Sequence, residues 1–387
     1  MILMANPFRP GGIVEPEYFV GRKEEIIRFQ QYLRNTQEGN PHHLAILGER
    51  GIGKTSLLRY LGHISKSQKC LIVRVEFDPA TNSIEELVLL ILAEIKRAGI
   101  VYSLIDKSAE RFKDFFQKYN ISVSLGVAKF EQREEKAIET KIEFRHRLQE
   151  LWDKIKGKIP AIIIMMDEAE QLEQINGSLQ YLRNVFLRLS ENNCGYILVL
   201  SGKIGLFKQI KELHSPLARF FTPVTLGPLK PEEVKEAIEK PFLTVKRNIN
   251  TKLINKIIDD SQGHPYIVQT IGYVLFEQNK RELSLLDYEV LKPMIMKQLG
   301  DQLFRDMLDK TSPEEQKILN VIAKSKKPLE MKTISKMVGK ASNQIGTQIK
   351  RLLQQNCIKK VGRGKYELFH KLFGEFIIDN LLFQKML

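Results

Sequence analysis

Between Leu47 and Leu58 the chain reads LGERGIGKTSLL, and no other stretch restricts its fold as much. Gly48, four residues, then Gly53-Lys54-Thr55 make the G-x-x-x-x-G-K-[ST] spacing of a phosphate-binding loop. Such a loop works only between a strand and a helix. HHLAILG (42–48) reads as a buried strand, and KTSLLRYLGHIS (54–65) reads as a helix with Leu57, Leu58 and Leu61 on one face. The glycines let backbone N–H groups turn inward around phosphate oxygens at the helix N-terminus. The expected nucleotide-contacting run is Gly48, Glu49, Arg50, Gly51, Ile52, Gly53, Lys54, Thr55 and Ser56. Within it, Lys54 places a cation on the β- and γ-phosphates, and the Thr55 hydroxyl suits Mg²⁺.

The rest of the N-terminal region supplies that loop with a sheet. CLIVRVEF (70–77), PAIIIMMDEAEQL (160–172), GYILVLSGK (195–203) and FTPVTLGPL (221–229) read as further strands. Helices are expected between them, including SIEELVLLILAEIKRAG (83–99), capped by Ser83 and Glu86 and stopped by Gly99, and others at about 178–190 and 204–213. TKIEFRHRLQELWDKIKGK reads as a charged helix with Phe144, Leu148, Leu151 and Ile155 on one face. Strands alternating with helices predict an α/β fold, a P-loop NTPase parallel sheet covered on both faces. The residues at about 103–138 read as an insertion on this core, with Phe112, Phe115 and Phe116 packed inside it and an alternative role in docking a protein partner. From Lys230 the pattern becomes helical. Ser312-Pro313 then opens three helices (about 313–325, 330–338 and 342–355) and a hairpin around Gly362-Arg363-Gly364, the outline of a winged helix-turn-helix. The expected domains are a P-loop core at 1–229, a helical lid at 230–311 and a winged helix at 312–387.

Asp167 ends a strand of five large apolar residues, Ile162 to Met166. A carboxylate at that edge can orient Mg²⁺ through its water shell, and Glu168 beside it can polarise an attacking water. This is the Walker B form of an ATPase. A GTPase would carry Asp-x-x-Gly there and Asn-Lys-x-Asp later. This chain has Asp167-Glu168-Ala169-Glu170, and its only near match to the later motif is Asn279-Lys280-Arg281-Glu282. The expected cofactors are therefore ATP/ADP and Mg²⁺.

Other segments fit one family. NPFRPGG (6–12) and FVGRKEEI (19–26) precede the loop, SPLARFF (215–221) precedes the fifth strand, and SQGHPYIVQ (261–269) lies in the helical region. Together they resemble the AAA+ and STAND-type ATPases of archaea and bacteria, above all archaeal ATPases that join this core to a C-terminal winged helix. Archaeal origin-recognition initiators are more distant relatives. The resemblance implies that Val20, Gly21 and Arg22 lie beside adenine and ribose, and that Ser201 positions water from the end of the fourth strand. It implies that Arg219 reaches the γ-phosphate of a neighbouring subunit in a nucleotide-dependent homo-oligomer, a surface salt bridge being the alternative. It also implies that His264 and Pro265 form the lid motif over the base.

The formal net charge is +14 and it is uneven. Ser312 to Leu387 holds 15 Lys and Arg against 6 Asp and Glu, and Lys332 to Lys365 holds nine basic residues and no acid. Ordinary surface lysine is interspersed with glutamate, so this stretch points to double-stranded DNA as a partner. Asn343, Gln344 and Gln348 on the third helix suit base edges, and Lys350, Arg351, Arg363 and Lys365 suit phosphates. Cys70, Cys194 and Cys357 are too scattered for a disulfide framework or zinc site. No apolar run reaches the roughly 18 residues of a membrane span, and a cytoplasmic protein is expected. Two readings stay open: a DNA-binding ATPase switch, and a STAND-type signalling or defence switch whose winged helix docks protein. An ATP-driven remodeller or transposition-type regulator is a third, weaker one.

Overall fold

The structure is a computed structural model that describes residues 5–77, 81–105, 134–206, 219–325 and 327–386. The chain forms two compact units, one of Glu15–Gly227 and one of Met1–Val14 with Pro228–Leu387.

The first unit is built on five parallel strands: β1 (His43–Leu47), β2 (Leu71–Val75), β3 (Ile162–Met166), β4 (Tyr196–Gly202) and β5 (Phe221–Thr225), in the order β2-β3-β4-β1-β5. The three central strands are buried along their whole length, because helices cover both faces of a parallel sheet. Burying each of their Leu, Ile and Val side chains contributes about 1.5–3 kcal/mol before chain entropy is counted. The two edge strands are only partly buried: Leu71–Val75 alternates with Arg74 exposed, and Phe221–Thr225 leaves Pro223 and Thr225 exposed. Proline is tolerated on an edge because it has no N–H to give a ladder.

One face of the sheet is covered by helices Ile84–Ile105, Glu134–Ile155 and Ser178–Glu191, which present Leu87, Ile91, Phe144, Leu148, Leu151, Ile155 and Phe186 to it. The other face takes helices Lys23–Gln37 and Lys54–Ser67 through Phe29, Leu33, Leu57, Leu58 and Leu61. Trp152 packs against Gly195, where an added Cβ would stand 2.4 Å from the indole.

The expected capping box is present, Ser83 Oγ accepting from Glu86 N and the Glu86 carboxylate from Ser83 N. The expected stop at Gly99 is corrected, since that helix continues to Ile105. A glycine inside a helix costs about 1 kcal/mol relative to alanine but leaves the hydrogen bonds intact. Tyr102 still packs on the core beyond the point where the stop was expected. The edges of the expected insertion fall inside this helix and helix Glu134–Ile155. Phe112, Phe115 and Phe116 lie outside the described residues, as does most of the helix expected at 204–213. The last strand ends at Thr225, short of the expected Leu229.

The second unit begins with helices Pro231–Thr244, Thr251–Ser261, Pro265–Phe276 and Leu285–Leu299. The N-terminal residues fold with it. Phe8 sits against Phe242, Phe276 and Gly272, Asn6 Nδ2 donates to Tyr273 O at 3.1 Å, and Arg9 N donates to the Gln269 side chain at 2.9 Å. A π-helical turn at Gly300–Phe304 leads through Arg305–Asp309 to helices Pro313–Ala323, Met331–Val338 and Ser342–Gln354. Ser312 caps the first of these three, with Pro313 at its first position, as expected. Strands Ile358–Gly362 and Lys365–Leu368 then form an antiparallel hairpin, which the two-residue strand Leu329–Glu330 extends beside Lys365–Leu368. Helix Lys371–Met386 closes the chain. Among the described residues no helix is long and apolar enough to cross a membrane.

Candidate nucleotide site

The loop follows directly from β1. Leu226 N donates to Leu47 O at 2.7 Å, and Gly48 N donates to Gly202 O at 3.2 Å, which pins the start of the loop between the neighbouring strands. Gly48 must lack a side chain, because a Cβ there would stand 2.6 Å from Ile52 Cγ2. Gly51 and Gly53 have φ of +76° and +92°, a conformation that glycine takes without strain. Gly53 caps helix Lys54–Ser67, whose first N–H groups have no partner inside the helix. Ser56 is buried at its start, and Arg50 is exposed at the tip of the loop.

Lys54 arches back over this turn and donates to Gly48 O at 3.1 Å and Glu49 O at 2.9 Å. Burial lowers its pKa, and the Asp167 and Glu170 carboxylates act against that shift. Thr55 Oγ1 donates to Asp167 Oδ2 at 2.5 Å, joining residues 112 positions apart. The other Asp167 oxygen accepts the Glu168 N–H at 3.0 Å. The sheet makes this meeting unavoidable. Leu47 lies beside Gly202, and Met166 lies beside Leu200, so the loop, Asp167 and Ser201 leave the same edge. Ser201 is fully buried, and among the described residues its hydroxyl has no hydrogen-bond partner. The Thr55 hydroxyl and Asp167 carboxylate are adjacent hard oxygen donors, the donor set a small divalent cation takes while keeping several waters.

Glu168 is exposed, has φ of +50°, and accepts from Gln171 Nε2 at 3.1 Å. Val20 is half-buried, and Gly21 and Arg22 are both left-handed and buried. The Arg22 guanidinium donates to Ile52 O at 3.0 Å, so this residue braces the phosphate loop from behind. Its role could not be read from the Val-Gly-Arg spelling alone, because the partner is a backbone carbonyl 30 residues away. Arg219 is exposed immediately before β5, and residues 207–218 that lead to it lie outside the described residues. His264 and Pro265 belong to the other unit. There the buried His264 ring lies 6.3 Å from both the Phe369 and His370 rings. His370 Nε2 is 2.9 Å from Ser261 O, and burial lowers its pKa to about 4.

The expected DNA-facing residues occupy one side of helix Ser342–Gln354 and the hairpin. Ile345, Ile349 and Leu352 are buried on the opposite side. Asn343, Gln344, Lys350 and Arg351 are exposed, and Gln348 is half-buried. Gln344 is also a cap, its side-chain oxygen accepting Ala341 N at 3.0 Å. Arg351 lies 3.4 Å from the fully buried Glu315 carboxylate, so part of its charge is already answered. Lys350, Lys360, Arg363 and Lys365 are exposed and make no ion pair among the described residues. The three cysteines are buried apart from one another, with burial pushing their thiols up to about 12, 11 and 12 at Cys70, Cys194 and Cys357.

Comparison with known proteins agrees with this arrangement. Residues 12–361 match the model of a family described as Novel STAND NTPase 1. The chain is similar to an uncharacterized HTH-type transcriptional regulator of Methanocaldococcus jannaschii, 24% identical over 387 residues that cover 96% of this chain and 91% of that protein. Its fold is similar to that of the Walker-type ATPase of Pyrococcus abyssi, with a TM-score of 0.61 at 16% identity, covering 93% of this chain and 96% of that one. It is also similar to the Aeropyrum pernix ORC2 protein solved in ADPNP–ADP complexes, with a TM-score of 0.59 at 14% identity over 94% of each chain. At these identities the structural likeness speaks for the fold, an α/β P-loop NTPase sheet.

Proposed function

The chain belongs to the Novel STAND NTPase 1 family, and from that premise we propose that it is an ATP-hydrolysing switch that binds duplex DNA through its C-terminal module. The observation that carries the nucleotide reading is the Thr55–Asp167 hydrogen bond of 2.5 Å, which brings the loop hydroxyl and the strand-end carboxylate to one point. Lys54 holds the β- and γ-phosphates of ATP, with the N–H groups from Gly48 to Ser56 around them. Thr55 and Asp167 hold Mg²⁺, which when bound supplies positive charge against the phosphates. Glu168 polarises the attacking water, and Ser201 orients it from the end of β4. Val20, Gly21 and Arg22 flank the base and ribose, and His264 and Pro265 act as the lid motif. Arg219 serves a neighbouring subunit in an ATP-dependent homo-oligomer. The functional division is into a core at 1–229, of which residues 5–14 pack on the helices of the second unit, a lid at 230–311 and a winged helix at 312–387, all in the cytoplasm.

The DNA reading rests on the unpaired cations of helix Ser342–Gln354 and the hairpin. The arrangement of three helices and a hairpin supports a winged helix, and the name of the methanogen relative as an HTH-type regulator supports the same class of partner. Asn343, Gln344 and Gln348 then face bases, while Lys350, Arg351, Arg363 and Lys365 meet phosphates. A second reading, a signalling switch that docks protein, is favoured by the exposed Leu286, Val290 and Met294 on one face of helix Leu285–Leu299.

ATP turnover with and without Mg²⁺ tests the first claim. Glu168→Gln should bind ATP as tightly as wild type while turnover falls, and unchanged turnover removes Glu168 from its role. Duplex binding at two salt concentrations, with and without ATP, tests the second claim. No binding at low salt refutes it in favour of protein docking.

A further inference from the structure

NPFRPGG and FVGRKEEI, the two motifs ahead of the phosphate loop, hold on to different parts of the molecule. Residues 6–11 run along one face of helix Pro265–Phe276, which they touch at Tyr266, Gln269, Tyr273 and Phe276, an i, i+3, i+7, i+10 spacing. The Asn6 side chain donates to Tyr273 O at 3.1 Å and to Glu277 Oε1 at 2.7 Å. Phe8 is buried, and a Cβ on Gly272 would stand 2.2 Å from its ring, so the helix is shaped to receive it. Arg9 N donates to Gln269 Oε1 at 2.9 Å, and a Cβ on Gly11 would stand 3.6 Å from the Tyr266 ring. Residues 15–22 grip the phosphate loop and its helix instead. Glu15 pairs with Arg59 at 2.6 Å, Phe19 stacks on Tyr60 with ring centres 4.5 Å apart, and Arg22 donates to Ile52 O at 3.0 Å. Gly12, Ile13 and Val14 separate the two sets of contacts, and the chain from Gly11 to Glu15 reaches at most about 14 Å.

We propose that residues 6–22 are a strap that reports the occupancy of the phosphate loop to helix Pro265–Phe276. The inference rests on the ATP-binding reading above and adds the regulation of that site. A ligand shifts a second site only when the two share conformational states, and the strap is what makes these two share them. Nucleotide entering the loop shifts Ile52, Arg59 and Tyr60, the partners of residues 15–22. Residues 6–11 are held to the helix, so three residues of chain pass the displacement on. The second crossing between the two units, at Gly227–Pro228, joins the same two places. Leu226 N donates to Leu47 O at the start of the loop, and Leu229 N donates to Gly263 O in the turn that opens the helix. Tyr266 carries the response further, because its hydroxyl donates to Gln302 Oε1 at 2.8 Å in the π-helical turn that leads to the C-terminal module.

The test inserts Gly-Ser-Gly-Ser between Gly12 and Ile13, which keeps every anchor and gives the strap slack. Amide exchange of helix Pro265–Phe276 is followed with and without saturating ADPNP and Mg²⁺, alongside ADPNP affinity and melting temperature. In wild type, ADPNP should slow exchange of that helix about fivefold or more, the lower end of coupling between sites. The insertion should weaken ADPNP affinity by no more than about twofold and remove most of this response. A response that survives the insertion overturns the inference, because contact of the nucleotide with His264 and Pro265 would then carry it. So does a wild-type helix that ignores bound ADPNP, or a loss of affinity large enough to account for the lost response. Where the insertion lowers the melting temperature, Glu15→Gln decides. It cuts the Arg59 ion pair and should weaken the response at unchanged affinity, and a full response overturns the strap. Failure of the wild type to bind ADPNP refutes the nucleotide reading instead.

Discussion

The phosphate edge of the sheet and the basic side of the C-terminal module both suit polyanions, yet they are built in opposite ways. At the phosphate edge the side chains that define the loop are tied to fixed partners: Lys54 on two carbonyls, Thr55 on Asp167, and Arg22 on Ile52. Its residues come from four separate stretches of chain and converge through strand register. The basic side draws on one contiguous stretch, and Lys350, Lys360, Arg363 and Lys365 project from it without ion partners among the described residues. The first arrangement is preorganised and unforgiving, since a displaced group disturbs its neighbours. The second is a field of charge in which each residue acts nearly alone, and salt weakens it.

Lys54→Ala should break the comparison most sharply. ATP affinity should fall at least about 100-fold, the worth of about 2.7 kcal/mol, while duplex binding measured without nucleotide stays at wild-type strength. A parallel loss of DNA binding would show that the two regions are not independently built.

Acid should come next. Burial holds His43 in β1 and His370 after strand Lys365–Leu368 neutral, at pKa values of about 3 and about 4 against 6.5 in the unfolded chain. Below pH 6.5 the unfolded chain takes up protons that the folded chain refuses. Stability is therefore full above that pH and falls as pH drops towards 4. For His370 the loss is on the order of 3 kcal/mol. His370→Gln should flatten the acid limb of a denaturation series between pH 6.5 and 4, and an unaltered limb would contradict this.

The basic side should respond in steps. Removing Lys350, Arg363 and Lys365 together should lower the slope of log affinity against log salt by about 3, with each residue contributing about 1. Steps of unequal size would point to direct base contacts within the set. The smallest effect separates two adjacent residues. Arg351→Ala should lower melting temperature slightly, by the equivalent of about 1 kcal/mol, because it leaves the Glu315 carboxylate without its ion partner, whereas Lys350→Ala should not. Equal melting temperatures would show that Glu315 does not need Arg351.

Much of the fold is legible in the sequence because its signals are local. The apolar runs of β1, β3 and β4, the Ser83 and Ser312 caps and the glycines of the loop each act on the few residues around them. Gly99 misleads for the same reason. The local cost of a glycine is small, and the packing of Ala98 and Tyr102, invisible to a local reading, outweighs it. The expectation that Lys54, Thr55 and Asp167 share a site came from motif spelling. The contact itself depends on β4 entering the sheet between β1 and β3.

By itself the sequence determined that this chain has a phosphate loop on a buried strand, an acidic strand end and a basic C-terminal stretch. Those are properties of neighbouring residues and their composition. Only the tertiary structure decided that Arg22 braces the loop, that His264 packs beside Phe369 and His370, and that Glu170 rather than Glu168 lies over Gly202. Each of these depends on tertiary packing, which brings together residues whose separation along the chain carries no trace of their contact. Burial then sets the energetic consequence, because the same carboxylate or imidazole that is ordinary in water becomes demanding once its solvent is removed.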